Sequence, residues 1–153
     1  MKGIYLIYAS TSGNVEATME YISGFFKKGG FEVFLSRAEQ TSIDIIKKNR
    51  RFVFGTSTWQ HGNLNPFFAK LYEQMKDLDF GGKQAAFVGL GDRRYEPILF
   101  CEGIVKIRHL FLKNGGEEVG NYLKIQGEPY GQLNSVVAPW AAMLSKTWAN
   151  YHV

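Results

Sequence analysis

The sequence predicts a doubly wound α/β domain, a parallel sheet with helices on both faces, and three observations carry that expectation. Short apolar runs alternate with longer amphipathic segments along the whole chain, which is the pattern of βαβ units. The strand-like runs are apolar enough to be buried under helices. At 153 residues, 45% hydrophobic and 15% aromatic, the chain has the length of one domain and material for one sizeable core.

The first run, Lys2–Tyr8, is rich in β-formers and ends at a polar turn. Val15–Lys28 sets Met19, Ile22, Phe25 and Phe26 at helical spacing and stops at Gly29-Gly30. Phe31–Ser36 reads as the second strand, Ser42–Asn49 as a short helix with Ile43, Ile45 and Ile46, and Arg51–Thr56 as the third strand. Ser57–Asn65 reads as a loop, and Pro66 suits the first position of a helix running to about Lys76. Gln84–Leu90 is the fourth strand and the most apolar. A helix from Ile98 or Cys101 to Asn114 is stopped by Gly115-Gly116, and the fifth strand lies within Glu117–Gly127, broken at Gly120-Asn121. The last helix spans Tyr130–Asn150, with Pro139 implying a kink or a start nearer that residue. No linker, repeat or low-complexity segment interrupts this order, so 1–153 reads as a single domain.

Composition excludes several classes. Cys101 is the sole cysteine, which rules out a disulfide framework and a multi-cysteine metal site and fits a reducing cytosol. The chain opens without a secretory pattern and has no apolar run near the ~20 residues of a membrane helix, so a soluble, cytoplasmic protein with no membrane partner is expected. A net charge of +4 and a pI of about 9.1 raise the question of nucleic acid. The cations are spread along the chain, so a nucleic-acid partner is not expected. Lys47, Lys48, Arg50 and Arg51 precede the third strand and should lie at the amino end of the sheet. A strand of ~17 Å separates them from the other end, beyond a Debye length of ~8–10 Å.

In an open parallel sheet the ligand crevice lies at the carboxyl ends of the strands, where three loops should converge: Ala9–Asn14, Ser57–Asn65 and Gly91–Phe100. The first offers the hydroxyls of Ser10, Thr11 and Ser12, a tight turn at Gly13 and a helix start, which favours phosphate; an ordinary helix cap reads the same way. The named nucleotide motifs are absent: there is no G-x-x-x-x-G-K-[ST], and Gly89-Leu90-Gly91 is followed by Arg94 where a dinucleotide fingerprint needs Gly. The second loop begins with Ser57 and Thr58, further hydroxyls, and then Trp59, well placed to stack on a planar ligand. In the third, Gly91 allows close backbone approach to a ring edge, Tyr95 supplies a second aromatic plane, and Asp92 can cap a turn. Jointly the loops describe a flat ring held between aromatics and tethered by a phosphate.

The pieces STSGN, STW, GLGDRRYE, LKNGGEEV and LKIQGEP occur in order and at matching spacing. On these the sequence resembles the short-chain flavodoxins along essentially its whole length. The resemblance implies the flavodoxin-like doubly wound five-stranded parallel sheet in the order 2-1-3-4-5, with helices on both faces. It implies non-covalent FMN and a monomeric one-electron carrier between a reductase and acceptor redox enzymes, without catalytic residues, metal or substrate turnover of its own. By position, Ser10, Ser12, Asn14, Ser57 and Thr58 would hold the phosphate with backbone N–H groups from Thr11 through Gly13 to Val15. Trp59 would cover the inner ring face and Tyr95 the outer, with Gln60, His61 and Gly62 beside the ring. The backbone of Leu90, Gly91 and Asp92 would meet the pyrimidine edge, and Phe100 and Cys101 would close that loop, Cys101 as a packing residue.

Three departures from the family pattern carry expectations. Val15 replaces a frequent Thr; a lost hydrogen bond of about 0.5–1.5 kcal/mol, more to a charged group, would weaken FMN binding roughly tenfold. Gln60 replaces a frequent Gly, and a positive φ there would cost roughly 1–2 kcal/mol, or on the order of 40–90 mV. Arg93-Arg94 bring positive charge to a loop that is usually acidic. A guanidinium ~8 Å from the reduced ring is worth about 2 kcal/mol and would raise the more negative potential by about 90 mV. His61 reads first as a solvent-exposed loop residue, and beside the ring it would add pH dependence. The basic composition suggests partners with acidic docking faces. The alternative functions are a flavodoxin-like activator of ribonucleotide reductase and a small FMN-dependent reductase.

Overall fold

Three runs rich in β-formers, GIYLIYA, RFVFGTSTW and QAAFVGLG, form the centre of a parallel sheet. The computed structural model describes residues 3–59, 63–91 and 101–150. In chain order its elements are β1 (Gly3–Ala9), α1 (Asn14–Lys28), β2 (Glu32–Arg37), α2 (Ile43–Lys48), β3 (Arg51–Trp59), β4 (Asn63–Leu64), α3 (Pro66–Met75), β5 (Gln84–Gly91), α4 (Glu102–Lys113), β6 (Glu117–Glu118), β7 (Leu123–Gln126) and α5 (Ala138–Ala149).

The strands run β2-β1-β3-β5, and β6 and β7 pair in succession with β5, all parallel. Counting β6 and β7 as one interrupted strand and setting the short β4 aside, the order is the 2-1-3-4-5 that the family resemblance implies. The interruption falls at Gly120, whose φ of 72° marks the turn of the chain.

Period-two alternation divides the core. Leu6, Val53, Ala86 and Val88 face α1 and α5, packing with Met19, Ile22, Phe26, Leu144 and Trp148. Ile7, Phe52, Phe54, Ala85 and Phe87 face the other way, with Phe68, Ile107 and Phe111 from α3 and α4. The phenylalanines of that second cluster touch one another: the rings of Phe54 and Phe87 lie 6.0 Å apart and those of Phe80 and Phe111 4.7 Å apart. Large apolar side chains buried this fully contribute about 1.5–3 kcal/mol each, and they fix which strand ends come together.

Two sequence expectations need correction, and one open alternative is decided. The third strand does not stop at Thr56. It continues to Trp59 and forms an antiparallel ribbon with β4, Thr58 opposite Leu64 and Trp59 opposite Asn63, so part of the expected Ser57–Asn65 loop is strand. The β-branched and aromatic residues of TSTW suit such a ribbon. For the last helix, the structure takes the start nearer Pro139 and not the one at Tyr130: a 3-10 turn (Tyr130–Gln132) and a π turn (Leu133–Val137) precede α5, which starts at Ala138 with Pro139 in its first turn. Proline is tolerated there because the N–H it lacks has no intrahelical partner. Finally, α4 begins at Glu102, one residue after the expected start at Cys101, and the other expected start, Ile98, lies outside the described residues.

The amino end of the sheet holds the cation cluster. Lys47 and Lys48 end α2, complementing its negative pole, and Lys83 donates to the carbonyls of Lys47 and Asn49 at 2.9 and 2.7 Å. Burial pushes the Lys83 ammonium below its usual pKa, with Arg50 adding to the effect, and burial also lowers Arg51.

Candidate functional site at the carboxyl ends of the strands

Strand register decides what meets at the carboxyl end. Ala9 pairs with Thr56, Ser57 with Leu90, and Gly91 with Gln126. The residues that follow β1, those that end β3 and those that end β5 are therefore neighbours across the sheet.

The turn after β1 is organised from within. Ser10 is buried, 3% exposed, and its Oγ accepts the N–H groups of Gly13 at 3.1 Å and Glu16 at 3.4 Å. Gly13 caps α1 with φ 88°, in the left-handed region, and a Cβ there would meet nothing within 4 Å, so glycine serves backbone conformation and not packing. Four N–H groups at a helix start lack intrahelical partners. Ser10 takes two of them, and among the described residues those of Asn14 and Val15 have none. Thr11 and Ser12 are exposed, so their hydroxyls stand free beside these donors. Val15 turns its side chain into the core, 2% exposed, and what it offers the turn is its N–H.

The end of β3 is tied to two helices. Asn65, fully buried, donates from Nδ2 to Ser57 Oγ at 2.8 Å while its Oδ1 accepts the N–H of Phe67 at 2.9 Å. It thus caps α3 and orients Ser57 at once. Thr58 Oγ1 accepts the N–H of Gly103 in α4 at 3.0 Å. Each hydroxyl keeps its hydrogen as a donor.

At the end of β5, Leu90 is buried and the Gly91 carbonyl accepts from Gly127 at 2.7 Å. Cys101 is fully buried in the left-handed conformation, φ 56°, immediately before α4. This agrees with packing and not with a nucleophile's exposure. Of the remaining expected site residues, Trp59 closes β3, while Gln60, His61, Gly62, Asp92, Tyr95 and Phe100 lie outside the described residues, as do Arg93 and Arg94.

Two residues at this end were not singled out from sequence. Asn65 carried a signal, an Asn directly before a helix-opening Pro. Arg37 carried none, since it reaches the turn from β2: it pairs with Tyr8 across the sheet, and its Nη2 donates to the Ser10 carbonyl at 2.6 Å. Its Nε donates to Glu39 Oε2 at 2.9 Å. The hydrogen bond to Glu39 is the main reason its guanidinium sits above its ordinary pKa. Beside it, Tyr8 donates to Glu16 Oε1 at 2.5 Å, and burial, with that bond and the carboxylate's charge, pushes the phenol up to about 12.

A family profile described as Flavodoxin matches residues 6–140. The chain belongs to the flavodoxin family. Its cofactor is accordingly FMN, and its role is electron carriage. This flavodoxin is 34% identical to the probable flavodoxin 2 of Bacillus subtilis over 86% of this chain and 87% of that one. It is similar to the solved oxidised flavodoxin 2 of Bacillus cereus, with a TM-score of 0.88 and 27% identity over 96% and 99% of the two chains. A Fusobacterium nucleatum flavodoxin solved bound to flavin mononucleotide shares the fold, with a TM-score of 0.80 and 20% identity over 99% and 100%. The residues present fit an FMN phosphate: the β1–α1 turn combines two N–H groups without a partner among the described residues with the exposed hydroxyls of Thr11 and Ser12.

Proposed function

We propose that this flavodoxin is a carrier without substrate turnover of its own, receiving electrons from a reductase and delivering them to acceptor redox enzymes. FMN, when bound, supplies the redox chemistry; the protein supplies position, hydrogen bonds and local charge. The observation that carries the reading is the junction of the β1–α1 turn with the end of β3, where hydroxyl and N–H donors are held on rigid elements.

In this reading the N–H groups of Asn14 and Val15 and the hydroxyls of Thr11 and Ser12 receive the phosphate. Ser10 acts from below: its Oγ anchors Gly13 and Glu16, which keeps the turn open. Ser57 and Thr58 donate from the neighbouring strand, their oxygens fixed by Asn65 and Gly103. Trp59 and Tyr95 supply the two ring faces, with Gln60, His61, Gly62, Asp92 and Phe100 around the ring, and Leu90 and Gly91 meet its polar edge. Helix dipole and neutral donors suffice for a dianion without a lysine or arginine contact.

Partners dock transiently at this end, and the protein works as a single-domain monomer in the cytoplasm. No helix among the described residues is long and apolar enough to cross a membrane, and the sole cysteine is buried and forms no disulfide. Acidic docking faces on the partners would be drawn by Arg93 and Arg94. The cluster of Lys47, Lys48, Arg50, Arg51 and Lys83 belongs to the opposite end and does not serve this docking.

Stepwise reduction of the FMN-loaded protein, followed by absorbance, tests the reading. The expected result is two resolved one-electron steps, and no NADPH consumption unless a reductase is added. Failure to bind FMN, or NADPH turnover by the protein alone, would overturn it.

A further inference from the structure

Arg37 is three-quarters buried, its side chain 26% exposed, and it is held from several sides. It donates to the Ser10 carbonyl and to Glu39 as described, and its Nη1 lies 3.5 Å from Glu16 Oε1. The guanidinium sits over the Tyr8 ring at 5.6 Å and the Phe67 ring at 6.0 Å. Two of these partners pose a difficulty for an anion site. The Ser10 carbonyl is the last backbone acceptor before the turn. The Glu16 carboxylate stands in the first turn of α1, where it repels any dianion that the helix start attracts. Both are engaged by the same guanidinium, and Glu16 is further held by the Tyr8 hydroxyl.

We propose that Arg37 is the electrostatic positioning residue of the phosphate turn: it fixes the Ser10 carbonyl on the side of β2 and offsets the charge of Glu16. Neutral donors can then bind a phosphate dianion. This rests on the reading of the β1–α1 turn as the seat of the FMN phosphate. It refines the answer to why the turn itself holds no cation: the cation comes from the neighbouring strand and acts without touching the ligand. A guanidinium suits this task because its planar fork can serve a carbonyl and two carboxylates at once, which a lysine ammonium cannot match in geometry. The effect should scale with ligand charge, since it is Coulombic at partly screened distances.

The test titrates apoprotein with FMN and with riboflavin, which carries the same ring without the phosphate. In the wild type FMN should bind more tightly than riboflavin. Arg37→Gln should weaken FMN about tenfold, equivalent to about 1.4 kcal/mol, while riboflavin affinity changes less than about twofold. Adding Glu16→Gln to that variant should restore most of the FMN affinity, and Arg37→Lys should fall between wild type and Arg37→Gln. Glu16→Gln alone, which leaves every Arg37 contact to Ser10 and Glu39 in place, should raise the preference for FMN about threefold; it carries the test if Arg37→Gln does not fold. Equal weakening of both ligands by Arg37→Gln, or an unchanged preference in both single variants, would overturn the inference and leave the phosphate reading intact. A wild-type protein that binds riboflavin as tightly as FMN would overturn the phosphate reading itself.

Discussion

The hydroxyl oxygen of Thr58, at the carboxyl end of β3, accepts the N–H of Gly103 in the first turn of α4 at 3.0 Å. One side chain thereby joins a central strand to the helix that follows β5. It also satisfies a donor that the start of α4 would otherwise leave unpaired.

Thr58→Val keeps the shape and removes this acceptor together with the hydroxyl hydrogen. Urea denaturation of the apoprotein should show a loss of about 1–2 kcal/mol, and FMN affinity should fall as well. Thr58→Ser retains both groups and should stay near wild type in the two measurements.

Asn65 serves two neighbours from a fully buried position. Asn65→Ala removes the cap of α3 and the donor to Ser57, for an expected cost of about 1–3 kcal/mol. Asn65→Asp keeps the acceptor for Phe67 and should retain more helix stability. Its FMN affinity should still drop, because Ser57 no longer has an amide to fix its oxygen. Thermal unfolding and an FMN titration on the same two variants separate the effects.

The Tyr8 phenol, held neutral to about 12 against an ordinary value of 10.0, makes stability depend on alkaline pH. Between these values the folded chain keeps a proton that the unfolded chain releases, so the contribution is complete below pH ~10 and lost as pH rises toward ~12. Tyr8→Phe should flatten that limb of the stability curve. The wild-type minus variant difference in tyrosinate absorbance should report a phenol titrating near the top of this window, and one titrating near 10 would contradict the Tyr8–Glu16 bond.

Gly89 lies where β5 meets α4, and a Cβ there would overlap Ile104 and approach Cys101 Cβ to 3.2 Å. Gly89→Ala should destabilise by about 1–3 kcal/mol, seen as a drop in Tm of about 3–10 °C for a chain of this size. An unchanged Tm would show that α4 can move outward without loss.

Much of this molecule was legible in its sequence because burial on both sheet faces writes long apolar runs. β5 and α1 follow directly from their residues, and the glycines at 13, 29 and 115 mark where helices start and stop. The sequence pattern ends β3 at Thr56, because the hydroxyls of Ser57 and Thr58 suggest a loop. Their pairing depends on Asn63 and Leu64, which no local pattern reveals. Tyr130–Val137 has helix-compatible residues, and what sets the start of α5 at Ala138 is the register of Pro139. At the site, Ser10, Thr11 and Ser12 announced a polar turn, yet the sequence did not show that Ser10 faces inward as a cap. Arg37 was hidden for a simpler reason: 27 residues separate it from Ser10, and only the pairing of β1 with β2 joins them.

The sheet divides the interior into two cores that share strands but few side chains, one under α1 and α5 and one under α3 and α4. Substitutions on opposite sides are therefore expected to behave independently, since coupling needs contact or a common partner. Each core can drift in sequence on its own. The β1–α1 turn belongs to one side and the Thr58–α4 junction to the other, so the carboxyl end is the seam at which two separately evolving halves must still agree.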